Sequence, residues 1–214
     1  MVQLDAKKII LNFGTGLMTA SWMRVLIVFM EHGWNEIAAG SPDGQNVCQH
    51  IFQPRVHLAL AFSFIDLFNS ILGLTRSKPS QVLLFASVRT GVELLVAPKL
   101  PCGAWQHLAT VLCWSLGDFI RCGCFFIDGL MSSPNGSGFN IIKSVRYTVG
   151  PILFPIGTLC EMFLVARVAM DGRPSLFAAL ALWPAGFYPL MKQLLKQRKK
   201  HFQQKPSMPV KKMV

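Results

Sequence analysis

Four apolar stretches of this chain hold side chains that can move protons or bind charge: Asp66, Arg89 with Glu93, Asp118 with Arg121, and Glu161. Glu161 stands in LFPIGTLCEMFLV, residues 153–165, a few positions after Pro155 and Gly157. A carboxyl in such surroundings can take a proton from carbon or give one to a leaving oxygen. Each ionisable group at the middle of a membrane helix costs ~2.5–3.5 kcal/mol on insertion scales, so such groups are paired, wetted or used. Arg89 and Glu93 are four positions apart and Asp118 and Arg121 three apart, spacings that let each pair share a helix face and neutralise itself. Spacing leaves self-neutralisation and a functional role equally open for these four. Asp66 and Glu161 have no opposite charge nearby in sequence and must look to other helices. Counting ~1.5 Å per residue from the expected helix ends puts all of them near mid-depth, which predicts a shared polar pocket.

The elements that must position them are membrane helices. The chain is 52% hydrophobic and only 14% charged, against about a quarter charged in a soluble domain. A span needs about 20 apolar residues, and six windows qualify: 9–30, 56–75, 80–98, 105–130, 145–170 and 174–195. The expectation is an all-α membrane protein, one six-helix bundle over residues 1–214, with 196–214 a basic tail. Lys7, Lys8, Arg76, Lys78, Lys143 and the Lys/Arg-rich tail fall at alternate helix ends, while Glu31, Glu36, Asp43 and Asp171 fall in the opposite loops. The positive-inside rule then places both termini in the cytosol. Pro151 and Pro155 remove backbone donors and should kink the fifth span, opening a cavity beside Glu161. Asn69 shares the face of Asp66, and Gly73, one turn on, is expected to admit a neighbouring helix closely. Lys211 and Lys212, third and fourth from the end, match a retrieval signal for the endoplasmic reticulum membrane.

Several function classes are excluded or disfavoured. The 21 Lys and Arg against 10 Asp and Glu sit at helix ends, where they meet lipid headgroups, and not on a folded face with stacking aromatics, so nucleic acid is not an expected partner. Four of the six cysteines lie in apolar runs, and no disulfide framework is expected. Cys122-Gly-Cys124 lacks metal or redox spacing, and the five histidines form no HxxH or HExxH, so no metal and no cofactor are expected. No cysteine is followed six positions later by arginine, as a phosphatase anion loop would need. A transporter would be expected to show inverted halves, which the chain lacks.

The segment RYTVGPILFPIGTLCE, residues 146–161, is similar to the pattern R-Y-x6-Y-P-x-G-x3-E of the very-long-chain 3-hydroxyacyl-CoA dehydratases, once called protein tyrosine phosphatase-like membrane proteins. WSLGDFIRC, 114–122, resembles W-[ST]-x-T-E-x-x-R-Y of the same family. MTASW at 18–22, DLFNSILGLTRS at 66–77, SVR at 87–89 and LLKQRKK at 194–200 are weaker echoes. The resemblance spans nearly the whole chain. It implies loss of water from a 3-hydroxyacyl-CoA to give a trans-2-enoyl-CoA, a step of fatty-acid elongation in the endoplasmic reticulum. Acyl-CoA, membrane lipid and elongation-cycle enzymes are the partners it implies.

The family's catalytic pair, a tyrosine and a glutamate, falls on Phe154 and Glu161. Phe154 has no hydroxyl. Tyr188 and Asp118 are the residues that could stand in for it, and Asp66, Arg89, Arg121 and Gly157 are expected to support the pocket. Asp66 and Asp118 stand where the family has glutamates, Asn69 where it has histidine, and Phe85 where it has glutamine. Two readings follow: a carbon–oxygen lyase working through Glu161, or a non-catalytic relative that binds acyl-CoA or scaffolds elongation enzymes.

Overall fold

A computed structural model describes residues 6–38, 42–75, 77–130 and 137–203. Among them every regular element is helical: α1 (Ala6–Ala38), α2 (Pro42–Asn46), α3 (Gln53–Ile71), α4 (Pro79–Gly91), α5 (Trp105–Leu130), α6 (Ser137–Met170) and α7 (Leu176–Gln203). A π-helical stretch, Val47–Phe52, joins α2 to α3, and a second, Val92–Val96, continues α4 before a short 3-10 turn, Ala97–Lys99. Arg76, the dilysine and the rest of the tail beyond Gln203 lie outside the described residues.

Five helical stretches are long and apolar enough to cross a membrane: Lys7–His32, Asp43–Ile71, Pro79–Lys99, Trp105–Leu130 and Ser144–Met170. They match the first five expected windows, with the second starting earlier because the π stretch carries helix through Gln53. The sixth window, 174–195, falls in α7. This helix is 28 residues long, but it contains Pro184 and Pro189 and turns basic from Lys192 on, and it is not apolar enough to join the five.

Packing follows from the small residues and the apolar stripes. Trp22, Val25 and Val28 of α1, Val56, Ala59 and Leu60 of α3, Leu108, Val111 and Trp114 of α5, and Leu164, Val165 and Val168 of α6 form one buried core. Large apolar side chains such as Phe13, Met30, Phe68, Leu95 and Phe163 point outward, as a lipid-facing surface requires. Buried hydroxyls turn back on their own helices: Thr15 to Leu11, Ser63 to Ala59 and Thr110 to Gln106, which satisfies them without a partner helix.

The close approach between helices occurs at Gly14 and not at Gly73. A Cβ on Gly14 would lie 2.7 Å from Ile65 and 3.2 Å from Asn69, whereas one on Gly73 would meet nothing within 4 Å. Gly73 instead has φ +67° just past the end of α3, and Leu74 N–H bonds back to Asn69 at 2.8 Å. It is the left-handed residue that stops the helix.

Cys48 and Cys102 form a disulfide, with Cα atoms 5.9 Å apart. The expectation of no disulfide is therefore corrected. Cys48 lies in the π stretch and Cys102 in the turn before α5, two segments distant in sequence that the fold brings to the same end of the bundle. Cys113, Cys122, Cys124 and Cys160 are not in disulfides. Denaturation in an alkylating reagent should therefore modify four cysteines before reduction and six after it, read by mass. Six modified thiols without reduction would contradict the bond.

Candidate active site

Trp114, Asp118 and Cys122 are spaced at i, i+4 and i+8 along α5 and are buried on one face. That face gathers the charged groups. Asp118 is gripped from two sides: Arg89 of α4 donates through Nη1 to Oδ2, and Arg121 donates through Nε to Oδ1 at 3.2 Å. Arg121 then reaches α3, where Nη1 donates to Asp66 Oδ2 at 2.5 Å. The result is a cation–anion–cation–anion chain, Arg89–Asp118–Arg121–Asp66, tying three helices together. Its charges sum to zero, which is how the bundle tolerates four ionised groups in its interior.

Glu161 sits beside one end of this chain. Its side chain is buried, and Trp114 donates its indole N–H to Oε1 at 2.5 Å. The indole of Trp183, from α7, approaches the same carboxyl. The Arg89 guanidinium lies 5.6 Å above the Trp114 ring, so Arg89 borders both the ion chain and Glu161. Its Nε–H is buried without a partner among the described residues. A donor of this kind, next to a carboxyl, is available to a ligand oxygen.

Pro151 and Pro155 both lie inside α6, where each removes a backbone donor. Gly157, one turn before Glu161, is buried, and a Cβ there would stand 3.3 Å from Cys113 Cβ. A larger side chain would push α6 off α5 and carry Glu161 away from Trp114. Gly157 thus sets the spacing of the two helices that hold the carboxyl.

Phe154 packs among other rings. Its ring stacks on Phe187 of α7, centroids 5.3 Å apart and nearly parallel, and meets Phe85 of α4 edge-on at 5.7 Å. Phe85 lies 6.0 Å from the Arg89 guanidinium, so an aromatic slab occupies the side of the site facing α4 and α7. Neither expected substitute for a phenol is free to act. Tyr188 is 68% exposed and faces outward, with Lys192 near its ring. Asp118 has both oxygens engaged by arginines.

The expected Arg89–Glu93 pair does not form. Helix winding changes from α to π at Val92, so the i, i+4 spacing no longer fixes the bearing of Glu93 against Arg89. Arg89 goes to Asp118, and Glu93 turns to two histidines that the sequence reading left unassigned. His107 Nε2 is 2.8 Å from Glu93 Oε2, and His57 Nε2 is 3.3 Å from Oε1. His57, Glu93 and His107 come from α3, the π stretch and α5; no motif in the sequence joins them. Among the described residues, no group of three or more His, Cys, Asp or Glu could hold a metal ion. Trp183 was likewise invisible, because its role depends on how α7 packs antiparallel to α6.

Comparison with known proteins bears on this arrangement directly. No curated protein and no solved structure matches the chain. A family model described as protein tyrosine phosphatase-like protein, PTPLA, matches residues 60–204, about two thirds of the chain, and covers every charged residue of the ion chain together with Glu161. The chain belongs to this family, the very-long-chain 3-hydroxyacyl-CoA dehydratases.

Proposed function

We propose that the chain removes water from a 3-hydroxyacyl-CoA to give a trans-2-enoyl-CoA, with Glu161 as its acid–base group. The observation that carries this reading is the buried Glu161 carboxyl, fixed by the Trp114 indole and bordered by an unpartnered Arg89 N–H. In the reaction Glu161 accepts the proton from C2, and charge builds on the thioester oxygen. The Arg89 Nε–H is the donor that meets it. The electron pair then closes the C2=C3 double bond as the C3–O bond breaks, and the departing oxygen takes the proton from Glu161, leaving as water. The carboxyl ends as it began.

A Tyr–Glu pair can give and take in one step, one group at each carbon. With Phe154 in the tyrosine position, a single carboxyl handles both transfers in sequence, so turnover is expected to be slow. The same observation supports a second reading, in which the chain binds acyl-CoA, or scaffolds elongation enzymes, without turning substrate over. Purified full-length protein in lipid nanodiscs, assayed with 3-hydroxyacyl-CoA beside a Glu161→Gln variant, separates the two. The lyase reading expects measurable dehydration by the natural chain and only the uncatalysed background from the variant. Equal rates from both leave the binding reading.

An endoplasmic reticulum location with both termini and α7's basic end in the cytosol completes the proposal. The Cys48–Cys102 bond supports it, because it lies at the bundle end opposite the Lys/Arg-rich ends, where an oxidising lumen would be.

A further inference from the structure

The two arginines expected to support the pocket are already committed. Arg121 is held by Asp118 and Asp66, and Arg89 by Asp118. Arg146 differs from both. Within the first turn of the Ser144–Met170 span, it is partly buried, and its guanidinium carbon lies over the ring of Phe125 in α5, 3.9 Å from the centroid. Tyr147 is its other aromatic neighbour, 5.6 Å away. It has no carboxylate partner among the described residues. A guanidinium over a ring keeps its planar fork of N–H donors, the geometry that grips phosphate oxygens in pairs.

The surroundings fit a nucleotide. His201 of α7 meets the Tyr147 ring at a tilt, centroids 4.7 Å apart, and Ser144 Oγ at 3.3 Å, so the last turns of α7, with Arg198, Lys199 and Lys200, come to the same end of the bundle as Arg146. Cations and flat rings therefore share one end of the bundle. The distance fits as well. Arg146 and Glu161 are fifteen positions apart on the same helix, ~22 Å of rise. From its pyrophosphate to the hydroxyl-bearing carbon, an acyl-CoA is about five peptide-length units, ~17 Å when extended. The long arginine side chain covers the difference.

We infer that Arg146, lying over Phe125, anchors the phosphates of the CoA nucleotide at the basic end of the bundle while the acyl carbon reaches Glu161. This rests on the reading of the ligand as acyl-CoA, but not on turnover. Binding of labelled CoA to the full chain in phosphatidylcholine nanodiscs tests it. The natural chain should bind CoA, and adenosine 3′,5′-bisphosphate should compete. Arg146→Gln should weaken CoA binding at least about tenfold, and Arg146→Lys, which keeps the charge but loses the fork, by less. Arg167→Gln, exposed at the other end of the same helix, should bind as the natural chain does.

Failure of the bisphosphate to compete overturns the inference without recourse to any variant. So does unchanged CoA affinity in a folded Arg146→Gln protein. A third overturning result is an Arg146 effect that is seen only for anionic phospholipid and not for CoA. If CoA binds through Arg146 and no dehydration is ever measured, the anchor stands and the lyase reading falls. Turnover that is indifferent to Arg146 gives the reverse.

Discussion

Replacing Asp118 by alanine should destabilise the protein by about 3–5 kcal/mol, the cost of removing one member from a buried ion pair and leaving its partner uncompensated. The effect is expected at the upper end because Asp118 serves two arginines. Arg121 retains Asp66 at 2.5 Å, but Arg89 keeps no carboxylate among the residues that the structure pairs with it. The measurement is thermal unfolding in detergent. A second variant identifies the cause. In Asp118→Leu with Arg89→Leu both charges disappear together, and this double variant should be closer to the natural chain than Asp118→Leu alone. Equal losses from single and double variants would show that shape at position 118 matters and charge does not.

Restoring a phenol at position 154 should raise dehydration by about 10²-fold or more, the usual contribution of one well-placed acid or base, provided that the aromatic slab is opened at the same time. Phe154 lies between Phe187 and Phe85, and neither ring offers an added hydroxyl a hydrogen-bond partner. Phe154→Tyr with Phe85→Gln supplies both the hydroxyl and a polar neighbour on the Arg89 side. The single Phe154→Tyr change should gain less than the pair. Initial rates of enoyl-CoA formation by the two variants and the natural chain decide the matter. A folded double variant no faster than the natural chain would mean that the slab is not what limits the chemistry.

Much of this was legible in the sequence because lipid imposes simple demands. Five of the helices follow from unbroken apolar length, and the buried charges announce themselves because the hydrocarbon has no water for them. Asp118 with Arg121 was readable as a three-apart pair and is one. Arg89 with Glu93 was equally readable and is not a pair, because a π turn and a competing carboxylate both intervene. Partners across helices could not be read at all. Trp114 reaching Glu161, Arg121 reaching Asp66, and His57 and His107 meeting at Glu93 each depend on rotation and depth of separate helices. Local spacing carries no record of either. Gly73 was misread for a related reason: a small residue permits close contact or ends a helix, and only φ distinguishes the two.

The bond between Cys48 and Cys102 also has a timetable. Cys48 leaves the ribosome 54 residues ahead of Cys102, a wait on the order of 3 to 10 s at ~5–20 residues per second. During that wait α3 and α4 must thread the bilayer in opposite directions, or the two thiols never arrive on the same side. Oxidation therefore certifies a correctly inserted hairpin, and a chain that mis-threads either helix would carry two spare thiols for quality-control machinery to detect.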